Sequence, residues 1–176
     1  MFEIGSYVIY RSEGVCVISD VREESFSTLG GASRFYILNP INDLNSVVYV
    51  PCDNENLVGM MRALLSPAEI DALAEEIKNE RMELPTDIRM RNAKYKEIFA
   101  EGDRRSLMIL VNTVGELIEK LENEGKKVGS TDRNAFSRAL KYLYEEFSAT
   151  ADISGIDELV DIIKTERPCR AKATAL

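Results

Sequence analysis

The chain has 176 residues, 45% of them apolar and 30% charged, so it is long enough to bury one ordinary core or two small ones and has the composition of a globular protein. It contains no histidine and no tryptophan, has three cysteines, and sets 30 acidic residues against 22 basic ones for a net charge of -8. Those numbers remove the commonest general base and metal ligand, offer neither a disulfide framework nor a zinc pattern, and leave no overall basic surplus for neutralising phosphates.

No run approaches the roughly 20 consecutive apolar residues that cross a bilayer, and the first ten residues lack a basic leader followed by an apolar block. The expectation is a cytoplasmic protein without a membrane partner. In the first third, short β-rich runs at residues 7–10, 15–18, 35–38 and 47–50 alternate with polar or glycine-containing segments at 11–14 and 30–33. Glu13-Gly14 predicts a hairpin turn that needs positive φ, Gly30-Gly31 a second turn, and Pro40 and Pro51 breaks in strand pairing.

The pattern changes at Leu65. Ser66-Pro67-Ala68-Glu69 combines a capping hydroxyl, a proline at the first helical position and a glutamate at the third, and Ile70, Leu73, Ala74 and Ile77 follow at helical spacing. Leu84-Pro85 closes that segment. A second helix is predicted from about 88 to 100 with Tyr95, Ile98 and Phe99 on its apolar face and Gly102 as its stop. Asp103 caps a third, whose Leu107, Leu110, Val111, Val114, Leu117, Ile118 and Leu121 form the clearest amphipathic stripe in the chain. Thr131 is the expected cap of a fourth, carrying Phe136, Ala139, Leu140, Leu143 and Phe147 on one face. Ser154-Gly155-Ile156-Asp157 predicts a short last helix, with a polar tail after it.

These elements predict an α+β chain with a β-rich domain over residues 1–62, a helical domain over 66–165 and a tail over 166–176. No catalytic pattern emerges: Ser6, Ser12 and Ser19 have no histidine, no glycine run matches a P-loop, and the many carboxylates fit a solvated surface. The expectation is a protein that is not an enzyme and takes no cofactor, metal or small-molecule substrate. Arg89, Arg91, Lys94 and Lys96 fall within eight residues, and Lys126, Lys127 and Arg133 form a smaller basic region. Either group can meet phosphates or serve as an ordinary charged helix face.

The opening wording is more specific. Phe2, Gly5, Val8 and Tyr10, then Gly14 and Ile18, followed by Tyr36-Ile37-Leu38, Val48-Tyr49-Val50-Pro51 and Met61-Arg62, resemble CarD-like proteins and the polymerase-interacting module of transcription-repair coupling factors. The similarity continues in order through Tyr95-Lys96-Glu97, Glu101-Gly102-Asp103, Gly125-Lys126-Lys127 and Tyr142-Leu143-Tyr144-Glu145-Glu146. It implies a small SH3/Tudor-like β-barrel that docks on the β subunit of bacterial RNA polymerase, and a helical domain that reaches promoter DNA to modulate the open complex. The implied polymerase contacts are Glu24, Val47, Val48 and Tyr49. The implied DNA contacts are Ile88, Arg89, Arg91, Lys94, Lys96, Lys127 and Arg133, with Ile88 near the place where many relatives carry a wedging tryptophan. Relatives often have basic residues where this chain has Glu24 and Tyr49. The absent tryptophan and the acidic balance keep open a different reading, a protein-only adaptor on polymerase.

Overall fold

The computed structural model describes residues 2–26, 31–43 and 45–172, and the chain divides into two compact units, residues 1–64 and 65–176. The first is an antiparallel sheet of five strands, β1 (Tyr7–Tyr10), β2 (Val15–Phe26), β3 (Gly31–Pro40), β4 (Val48–Pro51) and β5 (Met61–Ala63), in the spatial order β4-β3-β2-β1-β5. A one-turn helix, α1 (Glu55–Val58), is capped by the Asn54 side chain and precedes β5. The hairpin between β1 and β2 is longer than a two-residue turn: a 3-10 turn over Arg11–Glu13 leads to Gly14, whose φ of 72° meets the need for a residue without a Cβ.

β2 and β3 extend well past the apolar runs that announce them. Their pairing continues from Arg22 opposite Phe35 to Phe26 opposite Gly31, with an irregularity between Ile18 and Asp20. Gly30 lies outside the described residues, but Gly31–Ser33, expected in a turn, belong to β3. Pro40 is the last residue of β3, and Pro51 the last of β4. One face of the sheet builds the core from Val8, Tyr10, Cys16, Ile18, Tyr36, Leu38, Val50 and Met61, with Phe2 edge-on to Tyr36. On the other face Phe35 and Ile37 are also buried, and Tyr49 packs edge-on against Phe35 with ring centroids 6.2 Å apart.

The second unit holds α2 (Pro67–Ile77), α3 (Ile88–Glu101), α4 (Arg104–Asn123), α5 (Ser130–Phe147) and α6 (Ile156–Ile163). The capping box forms: Ser66 Oγ accepts from the Glu69 N–H, and the Glu69 carboxylate accepts from the Ser66 N–H at 2.7 Å. Asp87 and Asp103 cap α3 and α4, and Gly102 closes α3 in the left-handed region. The α4 stripe buries Leu107, Leu110, Val111 and Val114, and the close approach of α5 places Phe136 where a Cβ on Gly115 would lie only 3.2 Å from its ring. Two caps differ from expectation. α5 begins at Ser130 behind Gly129, so Thr131 sits inside its first turn, and α6 begins behind Gly155 with no side-chain cap. Among the described residues no helix is long and apolar enough to cross a membrane.

Ser154 does not cap α6 because its hydroxyl and its N–H both donate to the buried carboxylate of Glu158, at 2.6 and 2.8 Å. Arg170 and Arg167 reach the second carboxylate oxygen at 3.1 and 3.3 Å. The segment expected to form a polar tail is therefore docked through residue 172: the Cys169 N–H donates to Asp71, the Asp152 N–H donates to the Arg170 carbonyl, and Ala151 bridges Ala171. The Ser154 hydrogen bonds, more than the two arginines, hold the Glu158 carboxyl down to about 2. A lowered folded-state value means that the ionised form stabilises the fold above the ordinary carboxylate range, and that this contribution is lost as pH falls through about 2. Glu158→Gln is thus expected to lower the thermal midpoint at pH 7, with the gap to wild type closing as pH drops from 4.5 toward 2. Thermal unfolding across that pH range measures it; a gap independent of pH contradicts the assignment.

Candidate partner-binding surfaces

β4 has a sheet neighbour on one side only. It pairs with β3, placing Tyr49 opposite Ile37 and Val48 opposite Leu38, and no described strand lies on its outer side. Strand alternation divides the residues named for polymerase contact. Val48 turns into the core cluster, whereas Tyr49 and the preceding Val47 are exposed, at 38% and 46%. Glu24 lies two strands inward on β2, opposite Ser33. Its carboxylate accepts from Arg22 Nε at 2.7 Å, and the same guanidinium reaches Asp20 at 3.5 Å and lies beside Tyr49, so Glu24 and Tyr49 share one guanidinium that no sequence motif marks. Arg22 is hidden by its context: Arg22-Glu23-Glu24 has neither the alternation nor the apolar content of a strand.

The basic residues of the helical unit fall into two groups. Arg91 is held inside: its Nη1 donates to Asp132 Oδ2 at 2.8 Å and its Nε to the Pro85 carbonyl at 2.8 Å. Asp132 is itself buried and accepts from the Tyr95 hydroxyl at 2.8 Å, so one carboxylate ties α3 to the first turn of α5. Burial and then this hydrogen bond push the Tyr95 phenol above its ordinary range. Lys94 donates to the Glu83 carbonyl at 2.6 Å, and Arg133 pairs with Glu122 at 3.2 Å. Arg89, Lys96 and Lys127 are exposed. Arg89 and Lys96 are seven residues apart on α3, two turns along one side of the helix. Beside Arg89 stand Ile88 and Met90, exposed at 51% and 64%. Met90 carries no signal in the sequence, because neighbouring apolar residues at a helix start read as ordinary core. Arg138 of α5, equally unmarked in sequence, lies over the Phe99 ring at 4.2 Å.

Among the described residues no group of three potential ligands could hold a metal ion. Burial raises the thiols of Cys16 and Cys169 to about 11, which suppresses the reactive thiolate.

The outer edge of β4 is of the kind to which an extended peptide can add as a further strand. Residues 2–64 match the family model of the CarD-like/TRCF RID domain, and the sheet unit belongs to that family of RNA polymerase-interacting domains, which are protein-interaction rather than catalytic modules. No curated protein matches the chain.

The two groups of basic residues make different predictions for stability. Arg91→Ala leaves a buried carboxylate without its cation and is expected to cost about 2–4 kcal/mol, whereas Arg89→Ala is expected to stay within about 0.5 kcal/mol of wild type. Urea unfolding of the full chain measures both. Equal stability of the two variants would contradict the role given to Asp132.

Proposed function

We propose that the chain is a transcription regulator whose sheet unit docks on the β subunit of bacterial RNA polymerase, in the cytoplasm, and whose helical unit modulates the promoter open complex. The observation that carries this reading is the RID family match coinciding with an open β4 edge. An edge strand offers a row of main-chain donors and acceptors, and an extended segment of polymerase adding to it would gain those hydrogen bonds while Val47 and Tyr49 select its side chains. Val48 contributes from beneath by fixing the strand on its core, and Glu24 by holding Arg22 against Tyr49. The five-strand order and the bulged β2 support an SH3/Tudor-like barrel as the form of this unit.

In the helical unit the proposed DNA surface is the start of α3, where Ile88 supplies an apolar wedge and Arg89 and Lys96 meet phosphates, with Lys127 as a further cation. Arg91 braces α3 against α5, Lys94 ties α3 to the segment before it and Arg133 pairs across to α4, and all three reach phosphate only if they exchange their present partners. Tethering to polymerase raises the effective concentration at the promoter, so a weak DNA interaction suffices for an acidic protein. No chemistry is needed: preference for the opened junction over closed duplex shifts the equilibrium between them.

The internal commitment of Arg91, Lys94 and Arg133 favours a second reading, an adaptor whose helical unit meets protein and not DNA. Two measurements test these accounts, the first the docking they share and the second the DNA contact that separates them. Tyr49→Glu is expected to weaken binding to purified core polymerase about tenfold or more, whereas Glu75→Ala, a surface change in the helical unit, leaves it unchanged. Equal binding by a folded Tyr49→Glu protein moves the interface elsewhere. In open-complex lifetime assays containing polymerase, Arg89→Ala/Lys96→Ala is expected to flatten the dependence on log salt by about 0.9 for each duplex phosphate that no longer meets a cation. An unchanged slope and lifetime would favour the adaptor.

A further inference from the structure

The surroundings of the β4 edge carry information about the segment that pairs with it. Where β4 ends, β3 runs on paired with β2 only, and the chain turns through residues 52–54 into α1. The result is an open cleft of about 580 Å³ with Phe35 and Pro51, which are register partners, among its lining residues. Asp53 and Glu55 also line it, and among the described residues no lysine or arginine does. Neither carboxylate has a cation within salt-bridge distance among the described residues. Ser33 lines the cleft too and is the register partner of Glu24, whose own charge is already met by Arg22. Before β4 the turn carries Asp43, which accepts from the Asn45 N–H and the Ser46 hydroxyl and from no cation among the described residues. The first 64 residues contain four arginines and no lysine. Half-buried Pro51 followed by carboxylates that no described cation meets, next to a strand edge with exposed apolar side chains, suits a long aliphatic stem with a positive head.

We infer that the segment added to β4 is basic, and that a lysine or arginine near its end beside Pro51 enters the cleft, laying its stem along Pro51 and its charge against Asp53 and Glu55. This rests on the edge-docking reading above and names the chemistry of its partner. Backbone pairing alone accepts any extended sequence, so the carboxylate rim gives the edge selectivity against acidic segments. The same rim adds a salt-dependent attraction.

The test measures binding of the full chain to purified core polymerase at low and high salt, for wild type, Asp53→Asn/Glu55→Gln and Asp53→Lys/Glu55→Lys. At low salt the lysine pair is expected to weaken binding about tenfold or more, the neutral pair by an intermediate factor, and both gaps narrow as salt rises. If a folded lysine pair binds as well as wild type or better, the cleft does not receive a cation and this inference is overturned, while edge docking stands. Should the lysine pair fail to fold, the neutral pair decides, because Asn and Gln keep the shape of the residues they replace; unchanged affinity at low salt overturns the inference. A wild-type chain that does not bind polymerase overturns the docking reading and this one with it.

Discussion

Every backbone N–H and C=O in a sheet needs a hydrogen-bond partner, and an open sheet cannot supply one along its outermost strands. In the sheet unit that constraint falls on β4 and β5. β5 is three residues long, one of the usual ways in which a sheet blunts an edge. β4 is only four residues long, yet it is flanked by exposed Val47, carries exposed Tyr49 and opens at its end into a cleft. The long hairpin of β2 and β3 makes this possible: it holds β4 at its register, buries Phe35 and Ile37 beneath Tyr49, and places Arg22 where it reaches across to the same phenol. Core packing on one face and a polar lattice on the other thus fix the same short strand.

The helical unit is organised differently, by carboxylates placed out of solvent and met by specific donors. Asp132 joins Arg91 and Tyr95, Glu146 meets Arg104 at 3.0 Å, and Glu158 gathers Ser154, Arg167 and Arg170. Each such group is costly to leave unpaired, so each fixes a junction: α3 to α5, α4 to α5, and the last described residues to α6. The arrangement consumes cations that composition alone leaves unassigned. An acidic chain whose basic residues largely brace its own helices has few left for a partner, and the exposed ones at the start of α3 are correspondingly informative.

Much of the fold is legible in the sequence because local chemistry and tertiary packing agree. Ser66, Pro67 and Glu69 form their box, Gly102 takes the left-handed stop, and the α4 stripe faces the core. The departures have physical causes. Arg22–Ser25 lack apolar alternation because that part of the hairpin extends past the core, so the apolar runs understate the length of β2 and β3. Thr131 and Ser154 offer capping hydroxyls, but the chain starts α5 two residues earlier, behind Gly129, and Glu158 takes the Ser154 donor. The candidate surfaces are legible only as residue types. That Arg91 is spent on Asp132, 41 residues away, while Arg89 points to solvent is a property of packing that no local pattern encodes. The tie from Arg22 to Glu24 and Tyr49 likewise exists only once three strands are in register.

The central claim is that polymerase pairs with the outer edge of β4. Amide hydrogen exchange of the full chain, free and bound to core polymerase, tests it most directly, because strand addition must protect main-chain N–H groups that are unpaired in the free protein. The account predicts new protection at the amides of Val47 and Tyr49, which face away from β3, with the core amides of β1 unchanged. Polymerase binding that leaves the β4 amides exchanging at their free rate would contradict it.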